Sequence, residues 1–184
     1  NLAQGFPDFD GPEIAKKAGI DAINAGHSQY ARMLGVPLLN KAIGDAWTRR
    51  TGFHVDPDTH ITVTSGCTEA IAATLLGLLS PGDEAVIFEP FYDSYRACVA
   101  LAGATARYVT LRPDKGNGFG FDEAELRAAF TDKTRMVLLN TPHNPTGKVF
   151  TAAELSLIAE LCVKHNALGM CDEVYEHLTY DPTL

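Results

Sequence analysis

Basic residues are in short supply: 15 Lys and Arg stand against 23 Asp and Glu, for a formal net charge of -8. A surface that tracks nucleic-acid phosphates concentrates Lys and Arg to displace counterions, so nucleic acid and anionic membrane are excluded as expected partners. No stretch approaches the roughly 20 apolar residues of a membrane-spanning helix. Residues Asn1–Gln4 carry no basic segment leading into an apolar one, which gives the expectation of a cytoplasmic protein. The four cysteines, Cys67, Cys98, Cys162 and Cys171, lie far apart with no Cys-x-x-Cys, so neither disulfides nor zinc are expected. Also missing are the G-x-G-x-x-G dinucleotide fingerprint and the G-x-S-x-G nucleophile elbow, and Gly147-Lys148 lacks the upstream glycine of a Walker loop. There is no internal repeat and no low-complexity tract.

What is present is an ordinary globular composition, 46% hydrophobic and 21% charged, with apolar material enough for a core of normal size. Residues 12–26 read as a surface helix with Pro12 at its first position and Gly26 as its C-cap. Residues 38–50 read as a second helix, with Leu39, Ile43, Ala46 and Trp47 as its apolar stripe and Gly52 closing it. His60–Thr64 reads as a first strand, followed by a turn at Ser65-Gly66 and an apolar helix reaching Leu79. Beyond the Ser80-Pro81-Gly82-Asp83 turn, strands and helices alternate: strand 84–88, helix 92–102, strand 106–111, an irregular segment at 114–121, a helix opened by Asp122, and strand 135–139. A helix from Thr151 carries a Thr151-x-x-Glu154 capping box and an apolar stripe of Leu155, Ile158, Ala159 and Cys162. A last apolar strand spans 167–171. Continuous apolar strands between amphipathic helices define an α/β fold, a three-layer αβα arrangement on a mostly parallel sheet.

Two motifs fall just past buried strands, where open α/β sheets bind ligands. Thr141-Pro142-His143-Asn144-Pro145-Thr146-Gly147-Lys148 follows Met136-Val137-Leu138-Leu139, and Asp172-Glu173-Val174-Tyr175 follows Ala167–Cys171. An amide, a carboxylate and a phenol converge on one crevice. A carboxylate there is costly to desolvate unless a cation meets it, whether a structural Arg or Lys or the protonated ring nitrogen of a cofactor. Asn144 before Pro145 also reads as a turn former, and Tyr175 as a packing residue. The turn Ser65-Gly66-Cys67-Thr68 opens a helix whose first amides have no intrahelical partners, a ready anion site. It reads equally as an N-cap and a tight turn.

In order and spacing, Gln4–Phe9, Ser65–Ala70, Glu89–Tyr95, His143–Gly147 and Asp172–Tyr175 resemble class I/II, fold-type I pyridoxal-phosphate aminotransferases, nearest the kynurenine/glutamine and methionine aminotransferase branch. The resemblance covers essentially the whole chain. It implies pyridoxal 5′-phosphate as cofactor, an amino acid and a 2-oxo acid as substrates, and a homodimer with an active site shared across its interface. It implies Asp172 on the pyridinium nitrogen, Asn144 and Tyr175 on the ring 3-oxygen, Tyr92 on the ring face, and the backbone of Gly66, Cys67 and Thr68 around the phosphate. Asp172 and Tyr175 are expected to act in the chemistry as well as in binding. Tyr30 is expected to reach the phosphate of the neighbouring subunit, and Gly5 to lie in a loop over the substrate carboxylate. Residues 1–30 are expected to form an N-terminal arm and small-domain segment, and 31–184 the first part of the cofactor-binding large domain. The family's catalytic lysine and its carboxylate-binding arginine follow the Asp172–Tyr175 segment and are expected past Leu184, so the chain reads as an N-terminal piece of a longer one. A carbon–sulfur β-lyase uses the same cofactor site, and an aminotransferase-like domain occurs in some transcriptional regulators. A plain nucleotide-binding domain would need a glycine fingerprint the chain lacks.

Overall fold

The computed structural model describes residues 5, 7–114, 116 and 118–180, which divide into two compact units meeting between Val63 and Thr64.

In the first unit, α1 spans Glu13–Asn24 and α2 spans Pro37–Thr51. Pro12 sits one residue ahead of the helix, with its carbonyl accepting from Ala15 and Lys16, so the expected first helical position is the cap instead. Pro37 takes the first position of α2, and Gly52 closes it in the left-handed conformation at φ 76°. The buried residues of α2 are Asn40 and Gly44, whereas the expected stripe of Leu39, Ile43 and Trp47 is exposed. Asn40 decides this. Its Nδ2 reaches the carbonyl oxygens of Leu34, Pro57 and Ile61 at 2.9, 3.2 and 3.1 Å, so an amide rather than an apolar side chain organises the unit. The same contacts explain why His60–Thr64 forms no strand. The Ile61 carbonyl is taken by Asn40, and the Val63 amide donates to the Leu34 carbonyl at 3.0 Å. Gly35, at φ 112°, passes so close to Asn40 that a Cβ would lie 2.5 Å from its Oδ1 and 2.7 Å from Val63 Cγ2.

The second unit opens with α3, Gly66–Leu78, and continues with β1 (Glu84–Glu89), α4 (Ser94–Leu101) and β2 (Thr105–Thr110). Two-residue strands β3 (Arg112–Pro113) and β4 (Phe119–Gly120) pair antiparallel inside the stretch expected to be irregular. Then come α5 (Glu123–Ala129), β5 (Thr134–Asn140), α6 (Ala152–His165) and β6 (Leu168–Asp172). The main sheet has the order β2-β1-β5-β6, and every neighbouring pair is parallel. Because side chains alternate across a strand, Val86, Phe88, Val137 and Leu139 pack on one face with Leu126 of α5 and Ile158 and Leu161 of α6. Ala85, Ile87, Met136 and Leu138 pack on the other with Ile71 and Leu75 of α3 and Tyr95 and Val99 of α4. Both faces of the sheet are covered, which is the three-layer αβα arrangement.

Helix α6 begins at the expected capping box. Thr151 Oγ1 accepts from the Glu154 amide while the Thr151 amide donates to Glu154 Oε2 at 2.8 Å. Its buried positions are Ile158 and Leu161, so the apolar stripe is rotated from the expected one and leaves Leu155 and Ala159 exposed. The N-cap of α3 differs too. The Ser65 hydroxyl makes no capping bond, and the Glu69 carboxylate reaches back to the Ser65 amide.

Candidate cofactor site

The carboxyl ends of β5 and β6, the N-terminus of α3 and the start of α4 surround a cavity of about 180 Å³. Its lining includes Cys67, Thr68, Tyr92, Asn144, Asp172 and Tyr175, six of the positions singled out from the sequence, together with Tyr95 and Asn140. Gly66 stands next to Cys67 as the first residue of α3, with φ 78°. Gly5 and Tyr30 belong to the first unit and are both exposed.

Asp172 is the last residue of β6 and only 7% exposed. Its Oδ2 accepts from the Tyr95 hydroxyl at 2.7 Å, and its Oδ1 accepts from the Val174 amide at 3.2 Å. Burial and the neighbouring carboxylate push the Tyr95 phenol far above its ordinary range, so it is a permanent donor. Cys67 is pushed up as well, first by burial and then by Asp172, and stands in the cavity as a thiol. Asn140 ties the two motif strands together. Its Nδ2 donates to the Asp172 carbonyl at 2.9 Å, and its Oδ1 accepts from the Asn144 amide at 2.6 Å. The segment after β5 is further held by His143 Nδ1 against Thr146 Oγ1 at 2.8 Å. Burial, with Lys148 nearby, lowers the His143 pKa to about 4.

At the start of α3 the Gly66 amide already donates to the Thr64 carbonyl at 2.9 Å. The Cys67 and Thr68 amides occupy the first helical turn, where no carbonyl four residues back is available. Lys148 is turned away from chemistry: its side chain is 7% exposed, pairs with Glu154 at 2.8 Å and lies over the Phe150 ring. Among the described residues no group of His, Cys, Asp and Glu is arranged to hold a metal ion. No helix there is long and apolar enough to cross a membrane.

Tyr95 and Asn140 are the residues that sequence reasoning passed over. Tyr95 lies three positions after Tyr92, one turn along the helix expected over 92–102, and that spacing was the available signal, although α4 itself begins at Ser94. Asn140 faces Asp172 across the sheet, a pairing that only the strand order reveals.

A nearly dry carboxylate whose contacts include a phenol and an amide, set beside an open helix N-terminus at the carboxyl edge of a parallel sheet, suits a ligand with a cationic ring atom at one end and a phosphate at the other. That defines a cofactor-binding α/β protein. The profile of the family "Aminotransferase class I and II" matches residues 1–183, and the chain belongs to that family. It is 50% identical over 181 residues to the probable N-succinyldiaminopimelate aminotransferase DapC of Mycobacterium tuberculosis, covering 98% of this chain and 45% of that protein. It is 42% identical over 192 residues to kynurenine–oxoglutarate transaminase 3 of Mus musculus, covering 98% of this chain and 41% of the relative. Among solved structures, YbdL from Escherichia coli, described as a methionine aminotransferase, superposes with a TM-score of 0.93 at 39% identity, over 99% of this chain and 47% of the other. The chain spans about half the length of the curated relatives it matches. Class I and II aminotransferases use pyridoxal 5′-phosphate.

Proposed function

We propose that the protein carrying this chain is a pyridoxal-phosphate-dependent aminotransferase that moves an amino group between an amino acid and a 2-oxo acid. The observation that carries the reading is Asp172: a carboxylate at the end of a buried strand, held by a phenol and an amide and facing a cavity lined by Asn144, Tyr175 and Tyr92. Bound there, pyridoxal phosphate supplies an electron sink for negative charge developing at a substrate carbon. The chain's own part is to hold and polarise. Asp172 keeps a proton on the ring nitrogen, because a carboxylate beside a protonated nitrogen favours the charged form. Asn144 and Tyr175 offer an amide and a phenol to the ring 3-oxygen. Tyr92, 36% exposed, offers its ring face for stacking. The free amides of Cys67 and Thr68, with the positive end of α3, suit the phosphate; Gly66 contributes a turn without a Cβ rather than a free amide.

On this reading residues 1–30 act as an N-terminal arm and small-domain segment, with Gly5 over the substrate carboxylate, and 31–184 as part of the cofactor domain. The working form is a homodimer in which Tyr30 reaches the partner's phosphate, and the setting is cytoplasmic. In support, Tyr30 is fully exposed. The test is spectroscopic and kinetic. The full-length protein should bind pyridoxal phosphate and convert an amino acid to its 2-oxo acid in the presence of a 2-oxo acceptor. Asp172→Ala should cut turnover at least a hundredfold while the cofactor still binds, consistent with the usual weight of a single electrostatic contact in such sites. Turnover within a few-fold of the parent sinks the assignment.

A further inference from the structure

We infer that Tyr95 is a positioning residue for Asp172: it aims the carboxylate into the cavity and supplies the donor that its Oδ2 needs there. The inference rests on the reading of Asp172 as the partner of the cofactor's ring nitrogen and adds a side chain that acts through it.

Three observations support it. First, Tyr95 is 2% exposed and packs in the α3–α4 side of the core, so its hydroxyl has to find a partner inside the protein. It finds one 77 residues away, in the Asp172 carboxylate at 2.7 Å. Hydrogen bonds to an ionised acceptor are roughly twice as strong as neutral ones. Without that hydroxyl, Asp172 would keep the 3.2 Å contact from the Val174 amide, two residues along its own chain, and the neighbouring Cys67 thiol, a weak donor. Second, Tyr95 is tied to the core. Its ring shares a cluster with Ile71, Leu75 and Val99, so the hydroxyl is a fixed point against which the carboxylate is held. Third, the same ring meets Tyr92 edge-on, with centroids 5.8 Å apart and planes at 76°. One buried side chain thus touches both the carboxylate assigned to the ring nitrogen and the aromatic assigned to the ring face. Its own phenol is kept protonated by burial and by Asp172, so the direction of donation does not reverse with pH.

The experiment compares the full-length protein with Tyr95→Phe and Asp172→Asn, each loaded with pyridoxal 5′-phosphate labelled with 15N in the ring. The 15N chemical shift and the cofactor dissociation constant are read, along with the melting temperature of the cofactor-free proteins. Tyr95→Phe keeps the ring and the packing. It should move the nitrogen signal toward the unprotonated position, in the same sense as Asp172→Asn but by less, and weaken cofactor binding roughly tenfold, the weight of a hydrogen bond to a charged group. A purely structural tyrosine would lower the melting temperature and leave the nitrogen signal in place, and that result overturns the inference while sparing the reading of Asp172. If Asp172→Asn itself leaves the signal unmoved, the reading of Asp172 fails and takes the inference with it. Should Tyr95→Phe not fold, 3-fluorotyrosine at position 95 keeps the hydroxyl and makes it more acidic. The nitrogen signal must then shift from that of the parent protein, and an unchanged signal counts against Tyr95.

Discussion

Asn140 and Asp172 face each other as a register pair at the carboxyl ends of β5 and β6, and the Asn140 side chain bridges them by donating to the Asp172 carbonyl at 2.9 Å. With its other end it accepts from the Asn144 amide at 2.6 Å, so a single amide fixes the spacing between the two motif loops. Asn140 is itself 2% exposed, so its hydrogen bonds have no water to fall back on.

Asn140→Ala should therefore destabilise the protein by about 1–3 kcal/mol, since it leaves the Asn144 amide without its acceptor, while the Asp172 carbonyl keeps the Thr141 amide at 3.2 Å. Cofactor affinity should fall with it, because Asn144 and Asp172 lose their common anchor. Urea unfolding alongside cofactor titration checks both. Asn140→Asp can still accept from Asn144 but cannot donate to the Asp172 carbonyl, and it should be no better than alanine.

The neutral His143 gives a pH dependence with a definite sign. Its folded pKa is about 4 against an ordinary 6.5, so between those values the unfolded chain takes up the proton first. The contribution to stability is complete above about pH 6.5, falls as pH drops toward 4, and levels off below. The loss is at most about 3 kcal/mol, from the size of the shift. Unfolding free energies between pH 4 and 7 should show this slope, and His143→Gln should flatten it.

Gly35→Ala should cost about 2 kcal/mol or more. It adds left-handed strain to a Cβ placed 2.5 Å from Asn40 Oδ1, and Asn40 holds three carbonyls of the first unit. The partner change Gly52→Ala, also at positive φ but with nothing within 4 Å of the new Cβ, should cost about 1 kcal/mol. Equal costs for the two would show that the contact with Asn40 is not tight.

Leu161→Ala, which empties a fully packed position of α6 beneath the sheet, should destabilise by about 2–5 kcal/mol. Leu155→Ala, on the exposed side of the same helix, should stay within about 0.5 kcal/mol. The reverse order would restore the stripe expected from the sequence.

The parts of the fold that could be read in the chain are those where one residue type answers one demand. Apolar runs such as Met136–Leu139 had to be buried strands, and Thr151 and Glu154 had to open a helix; the partner expected for Asp172 was a cation, and the structure gives its Oδ2 the neutral Tyr95 hydroxyl. What could not be read depended on partners distant in sequence. His60–Thr64 has strand composition, but its groups are taken by Leu34 and Asn40. The stripe of α2 misled because a polar residue, Asn40, marks the buried face, and hydrophobic periodicity does not see amides. β3 and β4 are two residues each, below what a period of two can signal. Tyr92 was singled out through the family resemblance and does line the cavity, while Tyr95, three residues on in the same motif, was passed over, since its partner is the end of a strand 77 residues away.

Glu154 has a second attachment besides the cap of α6. Its Oε2 accepts from the Thr151 amide while its Oε1 holds Lys148 at 2.8 Å. The first turn of the helix and the stretch behind the Asn144 loop therefore share one carboxylate and should open together, in a single fluctuation rather than two. Amides from His143 to Glu154 should then exchange with solvent at a common rate set by the unwinding of α6, so the lifetime of that side of the site is governed by a helix end that never touches its ligand.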